Sequence, residues 1–162
     1  MSELSTAVNL VSQHIEQFHD KIEYPAPDTP TFYSVGEEER QRGQELEHFS
    51  KKMQQSDSPL VVRAGYMLEE IAELLQSDSD EAQVDALCDL IFFAFGTCAR
   101  MGVKPGNAFE AVHRANMRKD ISKNGAKVTK PIGWRGPEFE IKADIERQKR
   151  AARGRFSACP GE

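Results

Sequence analysis

Two short acidic stretches hold the residue types best suited to chemistry. In Leu68-Glu69-Glu70-Ile71-Ala72-Glu73-Leu74, Glu70 and Glu73 are three residues apart and Glu69 is four from Glu73. On a helix those spacings return to one side. Asp85 and Asp89 are four apart and share a helical face in the same way. Only the polar break from Ser77 to Asp80 separates the two stretches. Helices joined so closely are expected to run antiparallel and adjacent, with their carboxylate pairs opposed. Carboxylates that close repel, and burying them without a counter-charge is costly. Asp89 also sits beside Leu90, Ile91, Phe92 and Phe93, the most apolar part of the chain. A cation is the expected remedy. Oxygen donors without His or Cys suit Mg²⁺ or Mn²⁺, and an open carboxylate cluster of this kind suits phosphate chemistry. The ordinary alternative is a solvated acidic helix face. Acids inside an otherwise apolar helix favour the metal site.

A basic set follows. Arg114, Asn116, Arg118 and Lys119 come directly after Phe109 and Val112. Donors here would meet a polyphosphate and the charge developing on a leaving group. A helix C-terminus favours Lys and Arg through its dipole, which explains Lys119 equally well. Asn116 points more to function, because Asn is a poor helix-interior residue. Lys123, Lys130, Trp134 and Arg135 lie beyond, where they would close over substrate. For Trp134, packing against the helices is the better reading. The formal net charge is −5, with acids concentrated from Glu69 to Asp89 and bases from Arg114 to Arg155. That balance argues against a general nucleic-acid binder. The run from Arg147 to Arg155 reads as a solvated tail.

The elements that must position these residues are helical. Leu4, Val8, Val11, Ile15, Phe18 and Ile22 recur every three or four residues, with Ser2 or Ser5 as a cap. Pro25, Pro27 and Pro30 impose an extended connection. A more polar helix is expected over Gly36 to Met53, one over Leu60 to Leu75 with Ser58 or Asp57 at its start, and the longest over Glu81 to Met101. The C-terminal half of that longest helix is apolar nearly all round, so deep burial is expected. Gly102 suits the left-handed residue that ends a helix. Another helix runs from Asn107 to Lys119, an irregular segment follows, and Glu138 to Arg153 forms a last basic helix. No strand is expected. The fold class is all-α, an antiparallel helical bundle with a four-helix core and an irregular C-terminal segment. The division is a domain over 1–137 and a basic helix or tail over 138–162.

Bulk properties agree. At 162 residues the chain suits one domain. No apolar run long enough for a membrane span and no signal-peptide pattern is present, so a cytoplasmic location is expected. Cys88, Cys98 and Cys159 form no metal pattern and read as reduced thiols, the first two in the core.

The two acidic stretches, continued through Leu90-Ile91-Phe92-Phe93-Ala94-Phe95-Gly96-Thr97, resemble the all-α NTP pyrophosphohydrolases, the MazG-like and phosphoribosyl-ATP pyrophosphohydrolase-like proteins. The likeness includes Gln17-Phe18-His19, Phe109, Val112 to Lys119, Gly125 to Pro131 and Gly133-Trp134. It implies a MazG-like helical bundle that forms a homodimer or higher homo-oligomer. It also implies hydrolysis of the α–β phosphoanhydride of a (d)NTP to a nucleoside monophosphate and pyrophosphate, as in clearing the nucleotide pool. Glu70, Glu73 and Asp89 match the Mg²⁺ (or Mn²⁺) ligands best. Glu69 matches a further ligand or the base, the base being Glu69 or Glu70. Asn116 and Lys119 match substrate-contacting positions. The metals would neutralise the phosphates and activate water for in-line attack. One feature departs from the family pattern, which would place an acid at Ala86; here it stands one residue earlier, at Asp85. Phosphoribosyl-ATP fits less well, since the chain carries the longer MazG-like C-terminal pattern.

Two other classes compete. Glu16/His19, Glu45/His48 and Glu110/His113 are Glu-x-x-His pairs, as in ferritin-like di-iron bundles. None accounts for Asp85 and Asp89. A non-enzymatic helical interaction module would leave the acids as surface charge only.

Overall fold

The apolar periodicities fold as helices. A computed structural model describes residues 2–121 and 128–157. The elements are α1 (Glu3–Lys21), α2 (Glu37–Gln54), α3 (Pro59–Gln76), α4 (Asp80–Arg100), α5 (Gly106–Met117), β1 (Asp120–Ile121), β2 (Val128–Thr129) and α6 (Glu138–Ser157). The chain is all-α apart from one unexpected feature. β1 and β2 pair antiparallel, Asp120 opposite Thr129 and Ile121 opposite Val128. A ladder this short shows no alternation in the sequence.

The helix ends follow local chemistry. Ser2 caps α1 by accepting a hydrogen bond from the Ser5 amide. Ser79 caps α4 through the Ala82 amide. Ser58 is the N-cap of α3 without a side-chain bond, and Pro59 occupies the first turn, where its missing N–H costs nothing. Gly102, at φ 69°, closes α4 in the left-handed region.

The chain divides into two compact units, Pro30–Val103 and Met1–Thr29 with Lys104–Glu162. In the first, α2 packs on α3 and α3 on α4. Small residues let α2 and α3 approach closely. A Cβ on Gly43 would lie 2.5 Å from Gln76 Cγ and 2.9 Å from the Ala72 carbonyl oxygen. Ser50 and Ala72 are wholly buried nearby. The extended segment before α2 is held by Gln83 of α4. Its side-chain amide accepts from the Tyr33 N–H at 3.2 Å and donates to the Tyr33 carbonyl at 2.7 Å.

In the second unit, α5 contacts α1 and α6. Lys21 of α1 donates to the carbonyls of Met117 and Lys119, near the C-terminal end of α5. Asp144 of α6 accepts from Asn107 at 3.0 Å and from Gln148 at 2.7 Å, and pairs with Arg147.

Two burial expectations fail. The C-terminal half of α4 is not deep in a core: Ile91 is 49%, Phe92 73% and Phe95 47% exposed. Only one side of α4 meets a partner helix within its unit, and that partner is α3. Cys88, expected in the core, is exposed for the same reason, while Cys98 is half-buried. Cys159 lies outside the described residues.

Candidate active site

The α3–α4 seam brings the acids together. Glu70 is buried, at 7% exposure, and its Oε2 has no hydrogen-bond partner. Burial raises its carboxyl to about 7, and Glu73, Asp89, Glu69 and Asp85 add to the shift in that order. Partial burial and then Glu69, Asp89, Asp85 and Glu47 raise Glu73 as well. Glu69, Asp85 and Asp89 thus act on both Glu70 and Glu73, and Glu73 acts on Glu70. Glu69, Glu73 and Asp85 line an open hollow of about 380 Å³, together with Glu47, Gln76, Ser77, Asp78 and Ala82.

The carboxylate that most needs a counter-charge differs from the one expected. Asp89 is exposed despite its apolar sequence neighbours, because its side chain leaves the helix on the acidic side. Glu70 carries the burial instead. Ala86, the position where the family resemblance implied an acid, is 4% exposed inside the unit. Asp85 enters the hollow from the exposed flank of the same turn.

Sequence reasoning overlooked the contribution of α2. Glu47 lines the hollow and accepts from Gln76 at 3.4 Å. It also pairs with Lys51. Gln54 donates to Glu69 Oε2 at 2.8 Å and so holds one of that carboxylate's oxygens. Gly43, Glu47, Ser50 and Gln54 follow at helical spacing along α2, a polar stripe where an apolar one was sought.

The basic candidates belong to the other unit. Arg114 is committed to carboxylates, Glu110 at 3.1 Å and Glu140 at 2.5 Å, so it ties α5 to α6. Asn116 and Lys119 are half-buried at the end of α5 and beyond it. Lys130 stacks over the Trp134 ring at 4.6 Å from its centroid. Trp134 packs on α5, as expected, its Nε1 donating to the Ala115 carbonyl at 3.0 Å. Lys123 lies outside the described residues.

A family model described as phosphoribosyl-ATP pyrophosphohydrolase matches residues 15–116, well over half of the chain. The chain belongs to the phosphoribosyl-ATP pyrophosphohydrolase family. It is therefore a pyrophosphohydrolase acting on a nucleotide, a hydrolase of acid anhydrides. The matched span of this pyrophosphohydrolase includes all five acids and ends at Asn116, before Lys119 and Lys130. No curated protein and no solved structure matched the chain.

Proteins of this kind are commonly dependent on divalent metal. The donor set fits a hard cation: carboxylate oxygens only, one of them buried without a partner. The fit is one of donor chemistry. Among the described residues, no three His, Cys, Asp or Glu side chains are already gathered as a ready coordination group. That includes the Glu-x-x-His pairs, of which Glu45/His48 falls in one unit and the other two in the second.

Proposed function

We propose that the chain hydrolyses the α–β phosphoanhydride of a (d)NTP, releasing a nucleoside monophosphate and pyrophosphate. The observation that carries this reading is Glu70, a buried carboxylate with an unpartnered oxygen among four further acids. Glu70, Glu73 and Asp89 would hold Mg²⁺ or Mn²⁺, with Asp85 and Glu69 completing the set. When bound, the cation supplies charge neutralisation for the phosphate oxygens. The side chains supply the rest. Glu69, one oxygen held by Gln54, or Glu70 orients the attacking water and takes its proton. Water adds across the Pα–O–Pβ bridge; one product keeps the bridging oxygen and the other gains the water oxygen. Asn116, Lys119 and Lys130 are the proposed phosphate donors. Arg114 is a weaker choice, because Glu110 and Glu140 already occupy its guanidinium.

The chain is further proposed to work as a homodimer or larger homo-oligomer in the cytoplasm, without nucleic acid or membrane. Contrary to the expectation from the sequence, α4 is long and apolar enough to cross a membrane by length and composition. Its exposed Asp85 and Asp89 fit a partner protein better than lipid. A role in clearing unwanted nucleotides agrees with this reading.

The test is a panel of nucleoside triphosphates with Mg²⁺ or Mn²⁺, scoring pyrophosphate against single phosphate. Pyrophosphate release that D89N abolishes is the expected result. Release of single phosphate only would overturn the reading. Phosphoribosyl-ATP belongs in the panel, because the matching family is described by that substrate. Turnover of it alone would replace the (d)NTP assignment.

A further inference from the structure

Arg63 of α3 reaches across the seam to α4. Its Nε donates to Thr97 Oγ1 at 3.0 Å and its Nη2 to the Phe93 carbonyl at 2.8 Å. Its guanidinium carbon lies 5.3 Å from the Phe93 ring centroid and 6.0 Å from that of Tyr66. Those two rings stack on each other at 5.3 Å, inclined by 13°. Gly96 leaves room for the guanidinium, since a Cβ there would come within 2.9 Å of Nη2. The partners of this cation are thus a hydroxyl, a carbonyl and two aromatic faces, not a carboxylate.

The placement of this clamp connects it to the acids. On α3, Arg63, Tyr66, Glu70 and Glu73 succeed one another by three or four residues. On α4, Thr97, Phe93, Asp89 and Asp85 do so by four. The two rows face each other antiparallel, so one seam carries the clamp towards one end and the carboxylates towards the other. Arg63 and Glu70 are about two turns apart, roughly 10 Å along the axis. At that range Arg63 is no counter-ion for the acids, and the charges acting on Glu70 are the other four carboxylates. Their mutual repulsion drives α3 and α4 apart or past one another. The Thr97 hydroxyl and the Phe93 carbonyl are themselves hydrogen-bonded at 2.8 Å, and a planar donor that grips this pair with two nitrogens while lying over the Phe93 ring resists both movements.

We propose that Arg63 is a positioning residue of the metal site: by locking Phe93 and Thr97 to α3, it sets the helix register that opposes Glu70 and Glu73 to Asp89 and Asp85. This rests on the reading that those carboxylates hold the divalent cation. The clamp acts on the cation only through them.

The test measures Mn²⁺ binding to the full-length chain from the electron paramagnetic resonance signal of free Mn²⁺, alongside pyrophosphate release against Mn²⁺ concentration. The variants are R63Q, R63K, G96A and D89N. Circular dichroism and thermal unfolding establish that each is folded at the assay temperature. R63Q and G96A are expected to bind Mn²⁺ about tenfold or more weakly, in the range found when groups that orient metal ligands are removed. R63K, which keeps a donor but not the planar fork, is expected to fall between them and the native chain. A purely structural clamp would lower the melting temperature and leave Mn²⁺ affinity of the folded protein unchanged, which overturns the proposal. If R63Q does not fold, G96A decides: its methyl displaces Nη2 from Phe93, while Ala favours the helix. Loss of binding in D89N but not in G96A defeats the clamp alone. Failure of the native chain to bind Mn²⁺ defeats the site reading and the clamp with it.

Discussion

A carboxylate as buried as Glu70, with one oxygen lacking a hydrogen bond, destabilises the fold whenever it is charged and metal-free. The sign follows from its raised value, about 7 against an ordinary 4.5. Below the ordinary value both folded and unfolded chains hold the proton, and no penalty exists. As pH rises from 4.5 to about 7, the unfolded chain releases the proton first, so stability falls across that window and stays low above it. The upper limit is on the order of 3 kcal/mol. E70Q is therefore expected to be more stable than the native chain near neutral pH and above without metal, and similar in acid. Urea unfolding at several pH values with chelator checks this; an E70Q chain no more stable at neutral pH would contradict it. Mg²⁺ is expected to stabilise the native chain and not E70Q. D85N is expected to weaken Mg²⁺ dependence by about tenfold. Unchanged half-saturation would show that Asp85 does not replace the missing acid at Ala86. The spacing of the acids was legible because helical periodicity alone brings them to one face. Which of them is buried was not, because neighbouring helices decide that: Asp89, flanked by apolar residues, is exposed, and Glu70 is not.

Among the elements, α1, α3, α4 and α5 could be read from their apolar periodicity and caps. α2 was legible as a helix but not as part of the site. Its contact with α3 runs through Gly43 and Ser50, and small and polar residues leave no hydrophobic signature. That contact predicts the effect of a branched side chain. G43V would force Cβ against Gln76 and the Ala72 carbonyl, of which only the Gln76 side chain can move aside. Overpacking of this kind costs about 1–3 kcal/mol, measurable as a lower urea midpoint with little change in slope. Unchanged stability would mean that α2 does not hold its place on α3. In the other unit, the α5–α6 junction depends on Asp144. Burial pushes its carboxyl up, but hydrogen bonds from Asn107, Arg147 and Gln148, with the Arg147 charge, outweigh this and hold it below 3.8. That stabilisation is complete above the ordinary carboxylate range and is lost as pH falls through the lowered value. D144N is expected to destabilise the chain at neutral pH and to reduce its further loss in acid.

At the scale of the molecule, the apolar surface is out of proportion to the core. The buried apolar residues among those described are alanines: Ala72, Ala86, Ala111 and Ala115. Val84, Leu87, Ile91 and Phe95 recur along one face of α4 at helical spacing and are all exposed, with Phe92 beside them. Under the proposed function, a contiguous face of this kind is where a partner protein would sit. The sequence pattern implied that α4 would be buried, and the helices of its own unit leave this face open; the proposed second copy would reconcile the two. The native chain is expected to sediment as a dimer or larger, with a melting temperature that rises with concentration. I91E places a charge within that face, away from Glu70 and Glu73. It is expected to yield a monomer of lower melting temperature that no longer depends on concentration. Sedimentation equilibrium across a wide concentration range checks this, and a native chain that stays monomeric throughout would overturn it. Mn²⁺ binding by I91E then separates two origins of the site's order. Retained affinity means that α3 and α4 assemble the carboxylates within one chain. Lost affinity means that the repulsion among five acids is overcome only when α4 is supported from its apolar side.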